Sequence, residues 1–187
     1  KESVRLVYRR WFDMIVQELS GQEPTIELGC GCGQFKEFYP RARATDVLDS
    51  PWCEEVVDAR RLPYQDSSVG NYVLIDVLHH LEQPLEFFRG ASRTLRPGGR
   101  IVMVEPWLTV LSTIIYGWLH HEPCDVRRDF FSAKQRPPAA TASYSNQATA
   151  TLLFRTMNDQ FKEHFPRLKP VLIRPFGMFT YPATGGF

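Results

Sequence analysis

The feature that most constrains this chain is a short apolar run, Thr25-Ile26-Glu27-Leu28, that breaks into Gly29-Cys30-Gly31-Cys32-Gly33 and is followed by Gln34 to Tyr39. Phe35 and Phe38 fall on one helical face, so the segment reads as strand, glycine loop and helix. Alternate glycines remove every second side chain from the turn, which lets a ligand approach the backbone itself. The loop is not a dinucleotide fingerprint. Counted from Gly29 the sixth position is Gln34, and from Gly31 it is Lys36, so G-x-G-x-x-G fails in both registers. No Gly-Lys-Ser/Thr follows, which excludes a phosphate loop. An NAD or nucleotide-sugar enzyme on the same fold is disfavoured on this ground. The acid two residues ahead of Gly29, Glu27, would repel a pyrophosphate and suits a ligand carrying an ammonium group.

The elements around the loop extend the same pattern. Val4, Val7, Tyr8, Trp11, Ile15 and Leu19 recur at helical spacing and stop before Gly21, which gives an amphipathic opening helix. Strands are expected at Ala42–Asp46 and Glu54–Val57, and a near-continuous apolar one at Asn71–Leu78, as when helices cover both faces of a parallel sheet. Pro84 starts a helix through Leu85, Phe88, Ala91 and Leu95, Pro97-Gly98-Gly99 stops it, and Arg100–Glu105 is the next strand. This alternation predicts an α/β fold: a doubly wound, Rossmann-like, mostly parallel sheet with helices on both faces. After the fifth strand the order breaks. Residues 107–119 read as a helix, 132–145 as a Pro/Ala/Ser/Thr loop, and Asn146 as the cap of a helix carrying Leu153, Met157, Phe161 and Phe165. Leu168–Arg174 is expected as a sixth strand, with a seventh either poorly formed from 176–181 or lying beyond Phe187.

Three acids stand at strand ends. Asp46 follows Glu27 by 19 residues, where a carboxylate can accept from both hydroxyls of a ribose. Asp58 can accept from an adenine amino group, with the Ala59 amide donating to the ring, and Asp76 lies in the fourth strand. In a doubly wound sheet these positions meet at the carboxyl ends of neighbouring strands, around the point where the strand order reverses.

The segments ELGCGCG, ATDV, VVDARRLPYQDSSVGNYVLIDVLHHL and RTLRPGGRIVMVEP, in that order, resemble the class I S-adenosylmethionine-dependent methyltransferases, in particular the small-molecule type 11 branch. The resemblance covers residues 24–106. It implies that Glu27, Gly29, Cys30, Gly31 and Gly33 surround the methionine part of S-adenosylmethionine, that Asp46 holds the ribose, and that Asp58 with Ala59 holds the adenine. It also implies an apolar contact from Leu62 and a backbone contact from Asp76 to the cofactor's amino group. HHEPCD (residues 120–125) and the aromatic C-terminus resemble a group of such enzymes associated with surface-polysaccharide genes, hence the expectation of a small-molecule acceptor, sugar- or lipid-linked acceptors included.

Methyl transfer from a sulfonium is an in-line displacement that needs donor and acceptor held about 3–3.5 Å apart. A base is required only where the acceptor has a proton to lose. The candidates are His80 beside His79 after the fourth strand, and His121 and Glu122 in the cluster His120, His121, Glu122, Asp125. The apolar residues Trp107, Ile114, Ile115, Trp118 and Leu119 fit core packing or an apolar acceptor, Arg127-Arg128-Asp129 reads as a solvated run, and the 132–145 loop as a lid over the acceptor. A catalytically inactive, cofactor-binding scaffold is the alternative.

Composition then bounds the setting. With 22 basic and 21 acidic residues the chain has no charge excess for nucleic acid, and none is expected as a partner. Cys30 and Cys32 form C-x-C without a second ligand pair, so no metal is expected, and four cysteines in 187 residues suit a reducing, cytoplasmic compartment. The longest apolar stretch, 107–119, is too short for a membrane span of about 20 residues. The chain is read as a single domain, 1–187, with a cofactor core at 24–106, an insertion or acceptor cap at 107–165 and a C-terminal strand region at 166–187. Because it opens on Lys1 and stops at Phe187, both natural ends are expected to extend further.

Overall fold

The computed structural model describes residues 2–109, 123–132 and 144–176. Helix α1 (Glu2–Glu18) leads into β1 (Thr25–Leu28), α2 (Gln34–Phe38), β2 (Ala42–Asp46), the two-residue β3 (Glu55–Val56) and β4 (Val69–Ile75). A 3-10 turn (Leu78–His80), α3 (Pro84–Thr94) and β5 (Leu95–Val104) complete the unit. The five strands are parallel, in the order β3-β2-β1-β4-β5. The chain therefore winds outward from β1 in one direction and returns from β4 in the other, and the crevice between β1 and β4 is where such sheets hold ligands.

Period-two alternation divides the strands between two cores. Ile26 and Leu28 of β1, with Tyr72 and Leu74 of β4, bury against Phe87, Phe88 and Ala91 of α3. Val73 and Ala42 point to the other face, under Trp11, Phe12 and Ile15 of α1 and Phe35 of α2. The opening helix thus uses the stripe read from its spacing, with Val7 and Tyr8 packed at the edge of the same cluster. Both faces of the sheet are covered, which is why β4 is buried at every residue but its last.

The connection from α1 to β1 lies across the start of β4. Asn71 Oδ1 accepts from Ser20 N and Oγ, each at 2.8 Å, while Asn71 Nδ2 donates to Gln22 O at 2.8 Å and to Thr25 Oγ1 at 3.1 Å. Gly70 makes this contact possible. A Cβ there would press into the carbonyl group of Gln22 and lie 2.9 Å from Glu23 N, backbone atoms that cannot rotate away. Gly70→Ala is therefore expected to cost about 3 kcal/mol or more, a severe loss of the kind seen when a core is overfilled. A urea denaturation midpoint within error of the parent protein would contradict it.

Several expectations are corrected. β4 stops at Ile75, so Asp76 lies past the strand with φ of 55°, and residues 78–80 form a turn. α3 ends at Thr94 before the Pro97-Gly98-Gly99 stretch, which sits in a register shift near the start of β5. The helix expected after Asn146 is broken into a turn at Thr149–Thr151, a π-helical segment at Leu152–Thr156 and α4 (Asn158–His164). Met157 N bonds Leu152 O at 2.7 Å, five residues back, which inserts one residue and shifts the face that Phe161 and Phe165 present to Phe88. Leu168–Arg174 is not a strand. A strand exists only where a neighbour completes its hydrogen bonds, and Val171, Leu172 and Ile173 are exposed with no such pairing among the described residues. Among the described residues β5 is accordingly an edge of the sheet. The helix at 107–119 beyond Thr109, most of the 132–145 loop and the segment 177–181 lie outside the described residues. No described helix is long and apolar enough to cross a membrane.

Candidate functional site

The glycine loop leaves β1 in a left-handed conformation. Gly29 has φ of 74° and Gly31 of 52°, values that side-chain-bearing residues rarely adopt. At Gly29 a Cβ would also collide with the side chain of Val77, whereas at Gly31 the space within 4 Å is open. The loop is thus pressed against the end of β4 at one glycine and bare at the next. Gly33, φ 73°, opens α2, and its carbonyl accepts from Glu37 N at 3.0 Å.

Asp46 at the end of β2 secures that geometry. Its Oδ2 accepts from Gly31 N at 3.0 Å and its Oδ1 from Leu48 N at 3.0 Å. Glu27 stands on the neighbouring strand, buried at 3% exposure, and its Oε2 has no hydrogen-bond partner among the described residues. Burial, reinforced by the charge of Asp46, pushes its carboxyl from the ordinary 4.5 up to about 8, with Lys36 opposing. Lys36 acts on it through its charge alone, and no cation is hydrogen-bonded to Oε2 among the described residues; an ammonium group on a ligand would supply one.

Cys30 turns inward, where burial raises its thiol to about 12, and Cys32 is exposed, so the two sulfurs face different environments. Among the described residues no cluster of His, Cys, Asp and Glu could hold a metal ion.

At the β3 end, Asp58 is engaged by Arg60. Nε lies 3.0 Å from Oδ1, Nη2 lies 2.8 Å from Oδ2, and Arg60 N donates to Oδ1 at 2.9 Å. The Arg60 side-chain bonds hold the Asp58 carboxyl below its ordinary range. Ala59 and Leu62 are buried in the core beneath, with Leu62 against Gly90 of α3. Asp76 N donates to Val104 O at 2.9 Å, which locks the strained residue between β4 and β5.

The residue that spacing did not single out is Glu105. Its carboxylate, 5% exposed, accepts from Val77 N at 2.9 Å, Leu78 N at 2.6 Å and His79 N at 3.3 Å, and pairs with His79 Nδ1 at 2.8 Å. It caps the 3-10 turn that carries His79 and His80. The signal available was an acid at the end of a strand, the same signature as Asp46.

His80 is exposed, its Nδ1 is 3.2 Å from Tyr144 O, and its ring lies 4.1 Å from that of His79. Asn146 N donates to His79 O at 2.8 Å, and Asn146 Oδ1 accepts from Asp125 N at 2.9 Å. Both described pieces of the insertion are therefore stitched to the turn after β4. Arg128 is only half-exposed, its Nε buried and unpartnered among the described residues, which corrects the reading of that run as wholly solvated. Trp107 packs against the main core. His120, His121, Glu122, Ile114, Ile115, Trp118 and Leu119 lie outside the described residues.

Residues 26–103 match a family described as methyltransferase domain. The 27-O-demethylrifamycin SV methyltransferase of Amycolatopsis mediterranei (strain S699) is 40% identical over 70 residues, covering 37% of this chain and 25% of that protein. An uncharacterized 37.1 kDa protein in transposon Tn4556 of Streptomyces fradiae is 33% identical over 104 residues, covering 45% and 30%. The crystal structure of geranyl diphosphate C-methyltransferase from Streptomyces coelicolor A3(2) aligns with a TM-score of 0.43 at 16% identity, covering 53% of this chain and 45% of that one. The chain thus spans between a quarter and a third of the length of the curated relatives it matches. Parallel strands in this order and a left-handed glycine loop tied to the acid of β2 lie within the same residues, 26–103, that match the methyltransferase-domain family.

Proposed function

We propose that this chain binds S-adenosylmethionine at the carboxyl ends of β1, β2 and β3 and transfers its methyl group to a small-molecule acceptor. The observation that carries the reading is the buried, partnerless Glu27 Oε2 on β1, two residues ahead of a glycine loop that is left open at Gly31. When bound, the cofactor supplies an electrophilic methyl group on a sulfonium. Glu27 takes the ammonium group, the Gly29–Gly33 backbone lines the methionine part, and Asp46, already oriented by Gly31 and Leu48, accepts from the ribose hydroxyls. Asp58 with Ala59 takes the adenine edge, and Asp76 offers its backbone to the amino group.

Residues 24–106 form the cofactor core in this reading, 107–165 the acceptor cap and 166–187 a C-terminal region. The acceptor carries a hydroxyl, sugar- or lipid-linked acceptors included. The name of the Amycolatopsis relative, which refers to an O-demethyl compound, supports an oxygen acceptor. His80, on the turn held by Glu105, is the candidate base among the described residues, with His121 and Glu122 the others. Free thiols at Cys30, Cys32, Cys53 and Cys124 support a cytoplasmic setting.

Isothermal titration with S-adenosylmethionine, S-adenosylhomocysteine and NAD tests the reading. The first two are expected to bind. Asp46→Ala, which frees Gly31 N and removes the ribose acceptor, is expected to weaken both by about 2–3 kcal/mol, roughly 30- to 150-fold. Binding of NAD alone would overturn the proposal. Tight cofactor binding without turnover across a broad acceptor panel would favour an inactive scaffold.

A further inference from the structure

The segment 144–147 is wedged between two others. On one side lies the turn after β4: Asn146 N donates to His79 O at 2.8 Å, and His80 Nδ1 lies 3.2 Å from Tyr144 O. On the other side lies the segment that begins at Pro123. Asn146 Oδ1 accepts from Asp125 N at 2.9 Å, Asn146 Nδ2 donates to Asp125 O at 3.1 Å, and Gln147 N donates to Pro123 O at 3.0 Å.

Asn146, 2% exposed, is the residue that joins the three pieces. Its amide serves both backbone groups of Asp125, and Oδ1 also accepts from Ala148 N at 3.1 Å. Two N–H groups at one amide atom and a carbonyl at the other fix which atom is oxygen and which is nitrogen. As a cap for the turn at Thr149–Thr151 alone, an aspartate or a serine would serve as well. Donation to Asp125 O at the same time is what the amide adds.

The consequence falls on His80. A carbonyl oxygen can only accept, so Nδ1 carries the hydrogen, and in the neutral ring Nε2 carries the lone pair. The ring is exposed, and the bond to Tyr144 O is its one hydrogen bond among the described residues.

We propose that Asn146 is a positioning residue for the base: by clamping 144–147 between His79 and Asp125 it holds Tyr144 O on His80 Nδ1, and so keeps Nε2 bare to take a proton. The inference rests on the methyltransferase reading above, because it needs a hydroxyl acceptor. As the acceptor oxygen bonds the methyl carbon, the C–S bond breaks and sulfur keeps its electron pair. The O–H bond breaks too, its electron pair staying on oxygen and its proton passing to Nε2. Tyr144 O then faces the Nδ1–H of an imidazolium, a stronger hydrogen bond than the neutral ring makes. Water takes the proton afterwards and restores the base.

The test is heteronuclear NMR of the histidine ring nitrogens in the ligand-free protein, at a pH where titration of the same signals shows His80 neutral, with His80→Gln to assign them. The wild-type ring is expected chiefly in the Nδ1–H form, with Nε2 unprotonated. Asn146→Ala, checked for folding by thermal melting, is expected to shift the tautomer ratio roughly fivefold toward Nε2–H, the ordinary effect of losing one hydrogen bond. Asn146→Asp keeps the capping oxygen, loses the donor to Asp125 O and is expected to shift the ratio the same way by a smaller factor. If Asn146→Ala does not fold, Asn146→Asp decides. A wild-type His80 chiefly in the Nε2–H form would overturn the inference, as would an unchanged ratio in the folded variant, since Asn146 would then be a cap only. Calorimetric titration with S-adenosylhomocysteine is the separate arm, and the affinities of variant and wild type are expected to agree within about twofold. Failure of the wild-type chain to bind it would remove the methyltransferase reading and the proton-taking role, while the tautomer ratios would still decide the clamp.

Discussion

Replacing Glu27 by glutamine is expected to make the ligand-free protein more stable at alkaline pH while nearly abolishing its affinity for S-adenosylmethionine. The side chain is buried, and its carboxyl titrates at about 8 against an ordinary 4.5. With the folded-state pKa raised, the folded protein holds the proton more tightly than the unfolded chain. The resulting stabilisation is complete below pH 4.5 and is lost as pH rises through about 8. At about 1.4 kcal/mol per pH unit, the full swing is on the order of 4–5 kcal/mol, an upper figure for a group whose surroundings relax. Glutamine has no proton to lose, so its melting temperature should vary much less over that window and exceed that of the parent at pH 9.

Ligand binding reverses the sign. An ammonium group against Glu27 favours the carboxylate, so at pH 7 the wild-type protein should release close to one proton as the ligand enters. Titrations in phosphate and in Tris should then give different apparent enthalpies for the wild type and nearly equal ones for Glu27→Gln. The lost buried charge pair should weaken binding by about 3–5 kcal/mol, more than a hundredfold. An unchanged affinity in Glu27→Gln, or enthalpies independent of buffer in the wild type, would place the ammonium group elsewhere.

Glu105→Ala is expected to have the second large effect. The substitution strips the acceptor from three backbone N–H groups and from His79 Nδ1 at once, in a site whose two side chains are each 5% exposed. Orphaned buried donors cost about 1–3 kcal/mol each, with partial relaxation, so a loss on the order of 4 kcal/mol is expected. At 2–4 °C per kcal/mol for a domain of about this size, the melting temperature should fall by roughly 8–16 °C. Glu105→Gln keeps one acceptor oxygen for the turn and should cost clearly less. Because the turn bears His80 and adjoins Asp76, turnover should fall further than cofactor affinity, which depends chiefly on β1 and β2. Equal stability of the alanine and glutamine variants would show that the cap does not hold the turn.

Much of the fold was legible in order because its signals are local. β1 and β2 fall on the residues that the apolar runs and their flanking breakers mark out. The glycine loop could be read since a positive φ at Gly29 and Gly31 demands glycine wherever the chain turns sharply off a strand. The C-terminal strand was misread for the complementary reason. Val171, Leu172 and Ile173 have the composition of a strand, yet pairing depends on a neighbour that no local pattern supplies. The π-helical insertion at Leu152–Thr156 shows the same limit, because one extra residue in a turn leaves the apolar spacing nearly intact.

For the site, residue type and spacing point to Glu27, Asp46 and Asp58 as candidates, since each acid lies on or just after a strand and strand ends in a wound sheet come out along one edge. Only the tertiary structure decided what each acid is. Glu27 holds its proton because it is buried beside Asp46, Asp58 is neutralised by Arg60, and Glu105 is a backbone cap reached from 28 residues away. Protonation and pairing are set by desolvation and by charges brought close in space, and these come into being only when the chain has folded.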